Sequence, residues 1–340
     1  MKFKIDFSKY DYETINKGAY PKFIFNINGE KYFFKMNDFD EEEKIYYHQD
    51  IIEVFSSHFF KAVGYGNYVE YFFAHYGPRI ACASKSFLKE KDMREITLER
   101  ILELEYANKT DNLVYDFDAN LYSKRTYDDF YNAQAESTYK NYDGNQYFHS
   151  EDYVIESLIT FCKNYKLKYN ESQLRKHYRE MTILDFFMCN DDRNWGNICF
   201  VIGHDKTFRP APLFDNGYSF GMNFFETKYN ADNAPYIFHN GFSDIGMHNA
   251  LDNFPFLKNG GVVAVDIYEL CQKDKTLSSL VEKILNVDIK KLIKIFEQEH
   301  EIKLDENIQF KITEFFESKI SLYKKTQSRL KRKLKGRELE

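Results

Sequence analysis

The chain has 340 residues, 43% hydrophobic and 29% charged, a balance that excludes a disordered polymer and leaves room for two domains, since single cores stop growing near roughly 250–300 residues. A net charge of −6 argues against sequence-independent duplex binding, which needs a basic footprint, so no specific nucleic-acid partner is expected. Five cysteines (Cys82, Cys162, Cys189, Cys199, Cys271) without CxxC spacing argue against a zinc site or a disulfide framework and for a reducing compartment.

The N-terminus, MKFKIDFSKYDYE, lacks an apolar signal-peptide core, and no apolar run approaches the ~18 residues of a membrane span. The expectation is a cytoplasmic protein with no transmembrane segment. Residues 22–36, KFIFNINGEKYFFKM, place two aromatic-rich strands around Asn28-Gly29, a strong hairpin signal. Residues 41–62 open on three glutamates and carry Ile51, Phe55 and Phe59 at helical spacing, which predicts an amphipathic helix with an acidic first turn. NYVEYFFAHY and PRIACAS read as two more strands.

Beyond residue 86 the period changes. ITLERILELEY, YVIESLITFCKNY and ESQLRKHYREMTILDFFM all have helical spacing, and a Tyr/Asn/Asp-rich stretch over 106–150 reads as a surface insertion. SSLVEKIL, IKKLIKIFEQ and FKITEFFESKISLYKK close the chain as helices. The predicted class is α+β, with a small β-rich N-lobe over 1–85 and a larger, mainly helical C-lobe over 86–340.

Chemistry concentrates in CNDDRNWGNIC, residues 189–199. ICFVI then reads as a strand, GHDK as a turn and TFRPAPLF as a returning strand or extended segment, followed at once by Asp215-Asn216-Gly217. In an antiparallel hairpin the entering residue lies beside the leaving one, so Asn197 and Asp215 are expected side by side. Pro210 and Pro212 point to an edge or bulged second strand. An amide oxygen and a carboxylate suit Mg²⁺, which completes its shell with substrate phosphates. Asp192 precedes them on the loop, placed to orient an attacking hydroxyl. Phosphoryl transfer also needs a lysine for the phosphates. Lys35 ends the second strand of the N-terminal hairpin, with Glu53 on the following helix as its ion-pair partner. NKGAYPK (16–22) is the candidate phosphate loop, where Gly18 permits close backbone approach and Lys22 adds charge.

DRNWGN, the hairpin, PLFDNG, and the upstream GAYPK and strand lysine together resemble the HipA-like bacterial serine/threonine kinases. The loop is most similar to that of the shorter CtkA-like members, which commonly read DRHxxN. Phosphatidylinositol kinases share a related loop and a downstream aspartate. The resemblance covers about residues 14–220 and implies a bilobal protein-kinase-like fold using ATP and Mg²⁺. In it, Asp192 matches the catalytic aspartate, Asn197 and Asp215 the metal ligands, and Lys35 the nucleotide lysine. The implied activity is transfer from ATP to protein Ser or Thr hydroxyls, with autophosphorylation as one outcome and a protein of unknown identity as substrate. Two alternatives stay open: a lipid or small-molecule kinase, and a nucleotide-binding pseudokinase acting as an interaction module.

The sequence departs from the family at Asn194, where the family has His and where an amide cannot act as a base. The phosphate loop starts near residue 16, without the small domain that precedes it in longer HipA toxins, so antitoxin pairing is not implied. Asp191 reads as a loop residue without a role, Trp195 as a packing anchor. The C-terminal KKTQSRLKRKLKGR is either a solvated helix end or a patch for an anionic partner.

Overall fold

Asn28 and Gly29 turn the chain with φ of 52° and 80°, the left-handed pair that a two-residue hairpin loop requires. They join β2 (Lys22–Ile27) to β3 (Glu30–Met36) in the register Ile27↔Glu30 through Lys22↔Lys35. In this computed structural model the described residues are 3–15, 22–36, 39–40, 45–46, 49–77, 79–89, 91–111, 151–190, 193, 195–220 and 260–337. With β1 (Tyr12–Ile15), β6 (Tyr71–Tyr76) and β7 (Arg79–Lys85), the hairpin forms an antiparallel sheet in the order β1-β2-β3-β7-β6. Phe25, Ile27, Phe34, Phe72, Ala74, Ala81 and Ala83 line one face, where they bury Phe7. Because side chains alternate along a strand, Lys35 points to the opposite face from Phe34.

That opposite face receives α1 (Gln49–Ala62). The helix begins at Gln49, not at residue 41 as its glutamates predict. Ile45-Tyr46 (β5) instead pairs with Phe39-Asp40 (β4), and Asp50 supplies the acidic first turn. Gly64, at φ 66°, follows the last turn, where a left-handed glycine commonly ends a helix. Phe55 and Phe59 are fully buried against Phe220, Phe296 and Phe316. Each such side chain contributes roughly 1.5–3 kcal/mol by burial. The C-terminal helices supplying two of those partners are α7 (Ile289–His300) and α8 (Glu306–Arg337), preceded by α5 (Gly260–Lys273) and α6 (Lys275–Leu285).

The chain divides into two compact units. One comprises Met1–Phe87, Thr182–Asp192 and Pro212–Glu340; the other comprises Leu88–Met181 and Arg193–Ala211. The second holds α2 (Leu98–Asp111), α3 (Glu151–Asn164), most of α4 (Glu171–Met188) and a three-stranded sheet in the order β10-β9-β8. Here β9 (Cys199–Gly203) and β10 (Phe208–Pro210) form the predicted hairpin, with Pro210 ending an edge strand. β8 (Asp92–Thr97) falls where the sequence suggests the start of a helix. Ile96 and Thr97 pair with Phe200 and Cys199, and the Thr97 hydroxyl oxygen accepts from the Arg100 N–H, so the helix starts one residue later. Most of the predicted 106–150 insertion lies outside the described residues. All five cysteines are free and buried. Among the described residues no helix is long and apolar enough to cross a membrane.

Candidate active site

Three distant segments of the first unit converge on one ammonium group. β3 carries Lys35, whose Nζ donates to Glu53 Oε1 at 3.0 Å and to Asp215 Oδ1 at 2.6 Å. Glu53 is completely buried on α1, a helix fixed by the aromatic anchors Phe55 and Phe59 two and six residues further on. Its other oxygen, Oε2, accepts the Asn216 N–H at 2.9 Å. The segment bearing Asp215 is held by Leu213, whose N–H donates to Asn67 O and whose carbonyl accepts from Val69, both at 2.8 Å. Two residues on, Asp215 adopts φ 55°, a left-handed conformation that Asp tolerates better than most side chains. Its own N–H reaches the Tyr71 hydroxyl oxygen at 3.4 Å.

Lys22 joins from β2, its Nζ 3.9 Å from Asp215 Oδ2. One carboxylate therefore faces two lysines. Burial works against the charge on Lys35, but Glu53 and Asp215 outweigh it and hold the ammonium well above the ordinary lysine range. Burial lifts Glu53 above the ordinary carboxylate value, and the Asp215 charge adds to this. Lys35 and the Asn216 N–H limit the rise. Burial, with Glu53 and Asp215 nearby, likewise pushes the Tyr71 phenol and the Cys82 thiol well up, so both stay neutral beside the charges.

Gly217 completes the arrangement by having no side chain. A Cβ there would lie 3.2 Å from Gln49 Cβ, 3.4 Å from Lys35 Nζ and 3.5 Å from Glu53 Cγ. Backbone thus closes on the ion pair where any other residue would press against it.

Of the predicted site residues, Lys35, Glu53, Asp215 and Lys22 come together. Asn197 lies in the second unit, in a short 3-10 turn over Trp195–Asn197. Arg193 Nη1 donates to the Asn197 carbonyl at 3.2 Å, and the Leu98 N–H donates to Ile198 O at 2.7 Å, which pins this turn to the start of α2. Gly18 and Asp192, with Asp191 and Asn194, lie outside the described residues. Asn216 and Gly217 are signalled only as part of the PLFDNG motif, and Tyr71 and Gln49 carry no motif signal.

Among the described residues, no cluster of three or more His, Cys, Asp or Glu is built to hold a metal alone. A single carboxylate is nonetheless compatible with Mg²⁺, which is usually held by one or two carboxylates plus substrate phosphates. Two ammonium groups on that carboxylate are equally suited to phosphate oxygens.

Searches with family models and with curated sequences return no match. Among solved structures, the Helicobacter pylori proinflammatory kinase CtkA matches with a TM-score of 0.57 at 14% identity, over 96% of this chain and 97% of that one. A Golgi casein kinase matches with a TM-score of 0.41 at 12% identity, over 93% and 73%. HipA of Shewanella oneidensis matches with a TM-score of 0.38 at 12% identity, over 92% and 64%. The match to CtkA extends over nearly the whole of both chains: this chain shares the fold of that kinase.

Proposed function

We propose that this protein is an ATP- and Mg²⁺-dependent phosphotransferase acting on Ser or Thr hydroxyls of a protein substrate. The observation that carries the reading is the Lys35–Glu53–Asp215 constellation. It joins residues 18 and 180 positions apart in a chain with the fold of a kinase. Lys35 holds phosphate oxygens of the donor, and Glu53 fixes the lysine. Lys22 and the backbone around Gly18 add donors from the phosphate loop. Asp215 would hold Mg²⁺, which would neutralise charge developing on the phosphates; for Asn197 a metal-ligand role is what the sequence resemblance implies. Asp192 orients the acceptor hydroxyl and takes its proton. The functional division assigns phosphate binding to residues 1–85 and catalysis to 86–340.

A thermal melt tests the binding half. A ligand that binds only the folded state adds about 2.7 kcal/mol at a hundredfold excess over Kd. Melting should therefore rise with ATP plus Mg²⁺ and much less with ATP plus EDTA. No shift at millimolar nucleotide under either condition would refute the site. One sequence feature favours a second reading, a nucleotide-binding module without transfer: Asn194 stands where the family has His. A melting shift without label transfer to any protein, lipid or small-molecule acceptor would select it.

A further inference from the structure

Gln49 opens α1 at only 2% exposure, yet its side-chain Nε2 has no hydrogen-bond partner among the described residues. Buried donors are nearly always paired, and one that is not calls for a specific cause. Its position supplies one. Gln49 stands one helical turn before Glu53, on the same face of the helix. The vacant side-chain position of Gly217 is bordered jointly by Gln49 Cβ, Lys35 Nζ and Glu53 Cγ. The unpaired amide therefore belongs to a residue that abuts the same point as the lysine and glutamate, beside the segment that bears Asp215.

We propose that Gln49 is a further phosphate-contacting residue, its carboxamide N–H held for a phosphoryl oxygen of the donor nucleotide. The inference rests on the reading of Lys35 and Asp215 as the phosphate site. The chemistry fits that place. Lys22, Lys35, Glu53 and Asp215 already set the charge there, and a neutral amide adds a directed donor without changing it. Left unpaired in the free protein, the donor costs stability; met by an anionic oxygen, it forms one of the stronger classes of hydrogen bond. The binding energy is thus stored as a deficit of the nucleotide-free state.

Gln49→Met keeps length and packing but removes the donor. The nucleotide-free variant should melt at the wild-type temperature or above it, because a buried unpaired group is gone. Its affinity for Mg²⁺-ATP by calorimetry should fall about tenfold or more, the loss expected for a hydrogen bond to a charged group. Adenosine affinity should be unchanged. Gln49→Glu, of the same shape but negatively charged, should weaken Mg²⁺-ATP further, and it serves as the readout should the Met variant fail to fold. Three results would overturn the proposal while leaving the phosphate site standing. The first is wild-type Mg²⁺-ATP affinity in both variants. The second is a lower nucleotide-free melting temperature for Gln49→Met with unchanged binding, which marks a structural role. The third is an equal loss for adenosine. Absence of Mg²⁺-ATP binding by the wild-type protein would instead remove the site itself.

Discussion

Lys22 stands directly across the β2–β3 ladder from Lys35. Like charges in directly opposed positions destabilise a sheet unless an anion lies between them. Here the anion is Asp215, 2.6 Å from Lys35 and 3.9 Å from Lys22. The lysine pair is thus matched to a negative group delivered from 180 residues further along the chain.

Lys35 is the most exacting member of this group. Replacing it by Met leaves Glu53, which is wholly buried, next to Asp215 with no cation between them. Breaking a buried pair from one side costs about 3–5 kcal/mol. Urea unfolding of Lys35→Met should show a loss of that size, and adding Glu53→Gln should recover part of it. A loss below about 1 kcal/mol would mean the pair is not formed in solution.

Gly217→Ala tests the close approach of backbone to α1. The new methyl meets Gln49 Cβ at 3.2 Å, and α1, held further along by the buried Phe55 and Phe59, has little freedom to retreat. Overpacking of this kind costs about 1–3 kcal/mol. Calorimetry should show weaker Mg²⁺-ATP binding with a lowered melting temperature. An unchanged protein would mean that the backbone at Gly217 does not press on α1.

His177, on α4, gives the second unit a pH dependence of defined sign. Burial, and then the charge of Arg193, push its pKa down from 6.5 to about 4. The unfolded chain takes up this proton near pH 6.5 and the folded chain only near pH 4. The folded state is therefore unaffected by this group above 6.5 and loses stability as pH falls between the two values. The full loss is about 3 kcal/mol. Comparing urea midpoints at pH 7 and pH 4.5, His177→Gln should lose distinctly less on acidification than the parent. Equal losses would assign the acid sensitivity to other groups.

The C-terminal helix α8 ends with Lys324, Lys325, Arg329, Lys331, Arg332 and Lys333 exposed. We propose an anionic partner for this stretch. Truncation from Lys331 should leave ATP turnover intact and weaken binding to polyanions or acidic vesicles, most visibly at low salt. Lost turnover would make the segment structural instead.

Much of the N-terminal sheet was legible because its signals are local. Asn28-Gly29 fixes a hairpin whatever surrounds it, and the strand and helix periods around it are strong. Lys35, Glu53 and Asp215 were legible as candidates from motif order and hairpin geometry. Other features were not. β8 reads DMREIT, a mostly polar stretch whose pairing with β9 lies over a hundred residues away. The Val-rich start of α5 looks unlike a helix on propensity alone. The glutamates at 41–43 suggested a helix start that the β4–β5 pairing displaces. Tyr71, Asn216 and Gln49 owe their places to contacts across the fold, and no short-range pattern encodes such contacts.

Phosphate transfer from labelled ATP with Mg²⁺, compared between the parent, Asp192→Asn and Asp191→Asn, tests the central claim most directly. The parent should label itself or a generic protein substrate. Asp192→Asn should still bind Mg²⁺-ATP by calorimetry while transfer falls about 10²–10⁴-fold, the loss expected for a general base. Asp191→Asn should transfer at nearly the parental rate. Transfer at the parental rate by Asp192→Asn, with Asp191→Asn inactive, would place the catalytic carboxylate one residue earlier; a parent that labels no acceptor would contradict the kinase reading outright.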